Sequence, residues 1–240
     1  VLTSKLKGSG GSGLFRQGLV VLQFMFSFFL IAGSLVVVSQ NALLRNKDHG
    51  FSKDHLVMIP LRSAQLKQQE STKREFSNHP NILSSTLCFG IPGDVIAGDG
   101  VTDPITNKSM PANLFCVDHD YIQTMQMHIV AGRDFSRDFT TDATQAFIIN
   151  ETAVKTFGYG TPENAIGKPL YWEIWGTDSL KKGTVIGVVK DFHFKSLREQ
   201  LSPMVMHIAP DYVWKITLRI KPENIQATMA HLKSTYERLD

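Results

Sequence analysis

Gly18-Leu19-Val20-Val21-Leu22-Gln23-Phe24-Met25-Phe26-Ser27-Phe28-Phe29-Leu30-Ile31-Ala32-Gly33-Ser34-Leu35-Val36-Val37-Val38 runs for 21 residues without a charge. As a helix rising about 1.5 Å per residue it is roughly 30 Å long, the thickness of a bilayer's hydrocarbon core. Arg16 bounds it on one side, and Arg45 with Lys47 on the other. A cleaved signal peptide has a shorter apolar core and a small-residue cleavage site, and this stretch has neither. The reading is a transmembrane helix over 18–44, with a flexible cytoplasmic segment over 1–17 ahead of it. The chain does not begin with Met and looks like a piece of a longer one.

Charge fixes the orientation. Lys5, Lys7 and Arg16 are uncompensated, so residues 1–44 carry +3, whereas the remaining 22 basic residues balance all 22 acids. The positive-inside rule places the leading segment in the cytoplasm and residues 45–240 outside, in a bacterium the periplasm. A balanced outer part lacks the basic patch that a nucleic-acid binder needs. Two cysteines are too few for a disulfide scaffold or a zinc ribbon. The outer compartment would allow Cys88 and Cys116 to pair, but buried thiols are the expectation.

The span has a polar side. Gln23, Ser27 and Ser34 fall at 0°, about 40° and about 20° on a helical wheel. Serines in a membrane helix can bond their own backbone, but lipid cannot satisfy the amide of Gln23. The expectation is a partner helix against this face. The run Gly8-Ser9-Gly10-Gly11-Ser12-Gly13 is flexible by composition, as a natural loop or a cloning linker.

Beyond the membrane the pattern is mixed. Leu56–Leu61 reads as a strand, and a polar helix capped by Ser63 runs to about Asn78 with Leu66 and Phe76 as its large apolar residues. Ile82–Phe89 reads as the next strand, and Asp94–Met110 as loops or a hairpin. Further strands are expected at Asn113–Val117, Ala146–Asn150, Pro169–Trp175, Thr184–Val189, Met204–Ile208 and Val213–Ile220. Helices are expected at His119–Gln126 and Glu151–Phe157. A last helix from Pro222 has Ile225, Met229, Leu232, Tyr236 and Leu239 along one apolar face. The fold class is α+β, with 55–92 and 203–240 forming one lobe and 93–202 inserted as a second.

Catalytic motifs are scarce. Ile166-Gly167-Lys168-Pro169 lacks the first glycine and the hydroxyl of a phosphate-binding loop, so any ATPase lies on another chain or in a separate domain. Asp118-His119-Asp120 lacks a second ligand set and reads as a helix cap. Asp191-Phe192-His193-Phe194 alternates as a strand end does, with no nucleophile elbow to make His193 catalytic. Asn107-Lys108-Ser109 and Asn150-Glu151-Thr152 match the glycosylation pattern, which is common by chance.

Several blocks in order are similar to the FtsX/MacB-type permease family of ABC transporters, especially its Bacteroidetes branch. They are Leu14–Phe24 entering the helix, Arg45–Phe51 leaving it, Ala131-Gly132-Arg133-Asp134-Phe135-Ser136, Ile149-Asn150-Glu151-Thr152-Ala153-Val154, Ala165-Ile166-Gly167-Lys168-Pro169, and Val185 to Phe194 including Asp191. The resemblance implies a bacterial inner-membrane permease with a periplasmic domain made of a porter-like lobe (55–92 and 203–240) and a sabre-like insert (93–202). It also implies a permease dimer, a cytoplasmic ABC ATPase that carries the ATP, surrounding lipid, and a periplasmic or outer-membrane partner. No cofactor is expected on this chain. In such systems ATP-driven helix movement is transmitted to the periplasmic domain. One span where the family has at least four means that the chain does not transport alone. Bottom-up, Gly132 and Gly167 suit tight turns, and Asn150 suits a cap on the helix from Glu151.

Two other readings compete with this one. A single-span sensor or receptor ectodomain would continue into a signalling module and carry a pocket with convergent polar groups. A membrane-tethered periplasmic enzyme is disfavoured by the motif search.

Overall fold

The computed structural model describes residues 11–46, 52, 54–93, 97–194 and 199–239. They fall into two units, a helix before Asp48 and a β-rich domain after it. The helix, α1 (Gly11–Asn46), has 36 residues, about 54 Å at the standard rise. Its stretch Phe15–Gln40 has a mean hydropathy of 2.3 and buries none of its side chains within the chain, so it is long and apolar enough to cross a bilayer. The helix starts earlier than the predicted span, taking in Gly11-Ser12-Gly13 of the run expected to be flexible. Once a helix is nucleated each added residue gains a hydrogen bond, which offsets the poor propensity of glycine. Residues 8–10 lie outside the described residues.

The second unit opens with β1 (Leu56–Pro60), α2 (Ser63–Lys67), α3 (Gln69–Ser77) and β2 (Ile82–Cys88). The single helix expected from Ser63 is two, with Gln68 between them out of helical geometry. Arg62, not Ser63, holds the cap position, and its N–H donates to Gln65 Oε1 at 2.9 Å. Far along the chain, β10 (Lys215–Ile220) inserts antiparallel between β1 and β2, pairing Thr217 with Met58 and with Thr86. The alternating residues Ile216, Leu218 and Leu87 pack with Phe76 and with Leu232 of α8 (Ile225–Arg238). The last helix packs Leu232, Tyr236 and Leu239 of its predicted face on this core, but not the first two residues of that face. Ile225 and Met229 are exposed, while Thr228, Leu232 and Thr235 are buried. The reason is local: Asn81 Nδ2 donates to Thr228 Oγ1 at 3.0 Å, and the small threonines let the helix sit close. Pro222 precedes the helix, whose cap is Asn224 in a left-handed conformation.

The inserted strands are β3 (Ala97–Asp103), β4 (Lys108–Val117), β5 (Ile129–Gly132), β6 (Ala146–Asn150), β7 (Pro169–Glu173) and β8 (Leu180–Val189). All but β5, which pairs with β8 alone, join β9 (Met204–Ile208) in a ring of six, in the order β4-β3-β7-β8-β6-β9, closed because β9 is parallel to β4 and antiparallel to β6. Short helices interrupt them: α4 (Tyr121–Met125), α5 (Asp142–Gln145), α6 (Glu151–Thr156) and α7 (Pro162–Ala165). The stretch Asp94–Met110, expected as loops or a hairpin, holds β3 and the first residues of β4, which pair as a hairpin from Ala97↔Leu114 to Asp103↔Lys108.

Strand pairing moves one boundary. Met204–Ile208, grouped by sequence with the terminal elements, sits in the ring of inserted strands. A strand joins whichever neighbours satisfy its backbone, and adjacency in sequence to β10 does not decide this. One face of the ring strands carries Leu114, Phe147, Leu170, Trp172, Val185 and Val205. The other carries Phe115, Val117, Ile148, Met204, Met206 and Ile208, packed under α4 and the rings of Phe192 and Phe194. The ring and the terminal sheet meet where Cys88 of β2 pairs with Val117 of β4.

Candidate functional site

Gln23, Ser27 and Ser34 are exposed on α1. Ser34 Oγ donates to the Leu30 carbonyl at 2.8 Å, so its hydroxyl is satisfied inside its own helix. The polar demand of the face therefore rests chiefly on Gln23, whose amide has two donors and an acceptor.

The residues singled out by family resemblance gather along β8. Gly132 ends β5 with φ +74°, and a Cβ there would stand 2.2 Å from the Ile186 carbonyl oxygen and 2.7 Å from Ile166 Cδ1. Only glycine permits both this backbone and this approach. Arg133 follows with a two-point bond to Asp142, at 2.6 Å and 2.8 Å, and lies 4.0 Å over the Phe139 ring. Asp142 is buried and also accepts from the Ser136 N–H at 3.0 Å. Burial raises its carboxyl, but the hydrogen bonds from Arg133 and the Ser136 N–H, with the charge of Arg133, together leave it below its ordinary value. The neighbouring Asp134 is different: burial pushes it up to about 6, against a 2.7 Å hydrogen bond from the Phe135 N–H. Gly167 (φ +81°) turns the chain after α7 so that its N–H donates to the Val185 carbonyl at 2.8 Å. The Lys168 carbonyl in turn accepts from Val185 N at 2.9 Å, and its side chain is exposed.

Asn150 and Asp191 meet at the start of α6. The buried Asn150 accepts from the Ala153 N–H at 3.0 Å and the Met204 N–H at 2.9 Å, and donates to the Ser202 carbonyl at 3.0 Å. One amide thus caps a helix and fixes the start of β9. Asp191 accepts from Thr152 N and Thr152 Oγ1, both at 2.8 Å, while its own N–H donates to Glu151 at 2.9 Å. These bonds hold α6 to the end of β8. Phe192 and Phe194 are buried.

The densest charged arrangement is one that sequence spacing hides. Lys73 of α3 is buried and donates to both Asp118 and Asp120 in the turn after β4. Asp118 also accepts from Thr86 Oγ1, from the Leu87 N–H at 2.9 Å and from the Asp120 N–H at 3.1 Å. Arg137 clamps Asp120 with two bonds of 2.8 Å. Burial raises the Asp120 carboxyl, but the hydrogen bonds from Arg137 and Lys73 prevail and hold it at about 2. Asp118 and Asp120 are thus ion-pair partners, and neither makes a side-chain cap bond to α4. The cluster ties α3 and β2 of the terminal sheet to β4 and the Arg137 loop of the ring. Among the described residues no set of His, Cys, Asp and Glu has metal-site geometry.

A second buried group lies on the β4, β7 and β9 strands. Cys116 Sγ and His207 Nε2 are 3.5 Å apart, and the His207 ring lies 4.3 Å from that of Trp172. Burial drives the thiol up to about 12 and the imidazole well below its ordinary value. A neutral thiol beside a neutral imidazole is not an activated nucleophile, which needs the thiolate. Cys88 and Cys116 are both buried and present as thiols. Cys88 packs on the Val117 side of β4, the face opposite to that of Cys116.

No family model matches the chain, and no curated protein matches it. Among solved structures it is similar to the periplasmic region of MacB from Actinobacillus actinomycetemcomitans, with a TM-score of 0.53 and 18% identity, over 78% of this chain and 86% of that one. It is also similar to the extracellular domain of the noncanonic ABC-type transporter YknZ from Gram-positive bacteria. There the TM-score is 0.47 and the identity 14%, over 72% of this chain and 86% of that one. The domain after α1 has the fold of the MacB periplasmic region.

Proposed function

We propose that this chain is part of an ABC-transporter permease subunit of the FtsX/MacB type, with α1 in the membrane and the domain after it on the outer side. The observation that carries the reading is the likeness of fold to the MacB periplasmic region over 78% of the chain, joined to a helix apolar enough to cross a bilayer. The ordered sequence blocks and the cationic flank of Lys5, Lys7 and Arg16 support the same arrangement.

In this reading the chain performs no catalysis. ATP binds a cytoplasmic ATPase on a partner subunit or separate domain, two permease copies associate, and helix movement is passed to the outer domain. The joint of Lys73, Asp118, Asp120 and Arg137 suits such a load, because a buried, multiply bonded ion pair resists separation of its two elements. The outer domain has a porter-like part and a sabre-like part, and Gln23 meets a neighbouring helix. An inner-membrane location with a periplasmic or outer-membrane partner completes the account.

The test is purification of the native full-length protein in mild detergent, with co-purifying chains identified and ATP hydrolysis assayed. A stoichiometric or fused nucleotide-binding subunit supports the permease. A kinase-like module, or no ATPase at all, contradicts it and favours the single-span sensor. Within the intact complex, Gln23→Leu weakens helix association and leaves the outer domain folded; unchanged association would remove the partner-helix role.

A further inference from the structure

A groove of about 510 Å³ opens beside the ring strands, within the size range of small-ligand sites. Its apolar walls include Trp172 and Ile174 from the β7 segment, Leu180 of β8, Ile208 of β9 and Tyr212. The Trp172 and Tyr212 rings meet edge to face at 5.8 Å, and the Tyr212 hydroxyl is anchored on the Trp175 carbonyl at 2.6 Å. The aromatic wall is therefore held in place without a ligand.

Lys181 gives the groove its chemistry. It lines the cavity, is only 9% exposed, and its ammonium bridges two walls by donating to the Ala143 carbonyl at 3.0 Å and the Ile208 carbonyl at 2.8 Å. An ammonium has three N–H donors; two go to these carbonyls, the ammonium also lies 5.6 Å from the centre of the Phe147 ring, and no carboxylate among the described residues pairs with it. Asp211 lines the groove but makes no ion pair with Lys181, and Lys182 adds a second cation on the exposed side. Burial without a counter-charge is costly, and it lowers the Lys181 ammonium to about 8. A buried cation with no carboxylate partner beneath rigid aromatic walls is complementary to an organic anion.

We infer that this groove binds a small amphipathic carboxylate, whose apolar or aromatic body lies between Trp172, Leu180 and Tyr212 and whose anionic end pairs with the Lys181 ammonium. The inference is independent of the permease reading, since it rests on the groove alone.

The experiment is isothermal titration of the chain in lipid nanodiscs, with empty nanodiscs as the blank. The probes are 2-naphthoate and its uncharged isostere 2-naphthamide. The expected result is at least a tenfold preference for the carboxylate, lost in Lys181→Met and retained in Lys182→Gln. Leu180→Glu, placed on an exposed wall where folding tolerates it, should weaken both probes by removing an apolar wall, and 2-naphthoate at least tenfold more than 2-naphthamide. Equal binding of the two probes, no binding above the blank, or a preference that survives Lys181→Met would overturn the inference. A preference lost only in Lys182→Gln would overturn it as well.

Discussion

Replacing Lys73 by Met asks what holds the terminal sheet to the ring. Lys73 and Asp118 have side chains only 8% and 10% exposed, so the substitution strands a buried carboxylate that still accepts from Thr86 and Leu87. Breaking a buried pair from one side costs about 3–5 kcal/mol. For a domain of this size that is a fall in Tm of about 6–20 °C. Arg137→Met is the control, because Arg137 is 50% exposed and an exposed ion pair contributes about 1 kcal/mol or less. Asp118→Asn added to Lys73→Met removes the stranded charge and should recover at least about 1 kcal/mol, a non-additivity of the kind that double-mutant cycles measure. The sign with pH is set by Asp120, held at about 2 against an ordinary 3.8. Its contribution is fully present above 3.8 and disappears as pH falls through 2. Lys73→Met should therefore be less sensitive than the parent to acid in that window. Denaturant unfolding followed by circular dichroism reads all four proteins. A Lys73→Met cost below about 1 kcal/mol, or one equal to that of Arg137→Met, would refute the idea that this cluster fastens the two lobes.

Three further outcomes are expected. Gly132→Ala costs about 3 kcal/mol or more, because left-handed strain adds to a clash with the Ile186 carbonyl, whereas Gly167→Ala, with open space around its Cβ, costs about 1–2 kcal/mol; equal costs in denaturant melts would contradict the difference. Asn150→Ala costs about 3 kcal/mol by removing a cap and stranding the Met204 N–H, and Asn150→Asp, which keeps the acceptors but not the donor to Ser202, falls between. Asp134, raised to about 6 by burial, adds stability that is complete below 3.8 and lost as pH rises through 6. Asp134→Asn should accordingly raise the Tm more at pH 7.5 than at pH 4.5, and a shift of the same size at both would count against the raised carboxyl.

How legible the chain is depends on where each element's information resides. Ala146–Asn150 and Met204–Ile208 are legible to the residue because both are fully buried and bounded by polar turns. The hairpin strand Ala97–Asp103 is not, since its sequence is AGDGVTD and its regularity comes from pairing with Lys108–Leu114. The closing of the ring by Met204–Ile208 was equally out of reach: a parallel partner more than ninety positions away leaves no local pattern. At the joint the same limit holds. Lys73 lies 45 positions from Asp118, and a lysine on a polar helix gives no sign of being buried. The apolar spacing of the last helix is right in its second half, where Leu232, Tyr236 and Leu239 pack on the core, and misplaces the first, where Thr228 and Asn81 take the place of Ile225 and Met229. Asn150, by contrast, signals its helix start directly, since a short acceptor ahead of Glu151 is a cap in almost any context.

The central claim is that movement generated by an ATPase reaches this outer domain. Hydrogen exchange of the native complex, compared between nucleotide-free and vanadate-trapped states, tests it most directly. The account predicts altered exchange on trapping in the segments around Ser63–Cys88 and Lys215–Arg238, with the fully buried Ala146–Asn150 strand unchanged. Identical exchange throughout residues 52–239 in an ATPase-competent complex would contradict it.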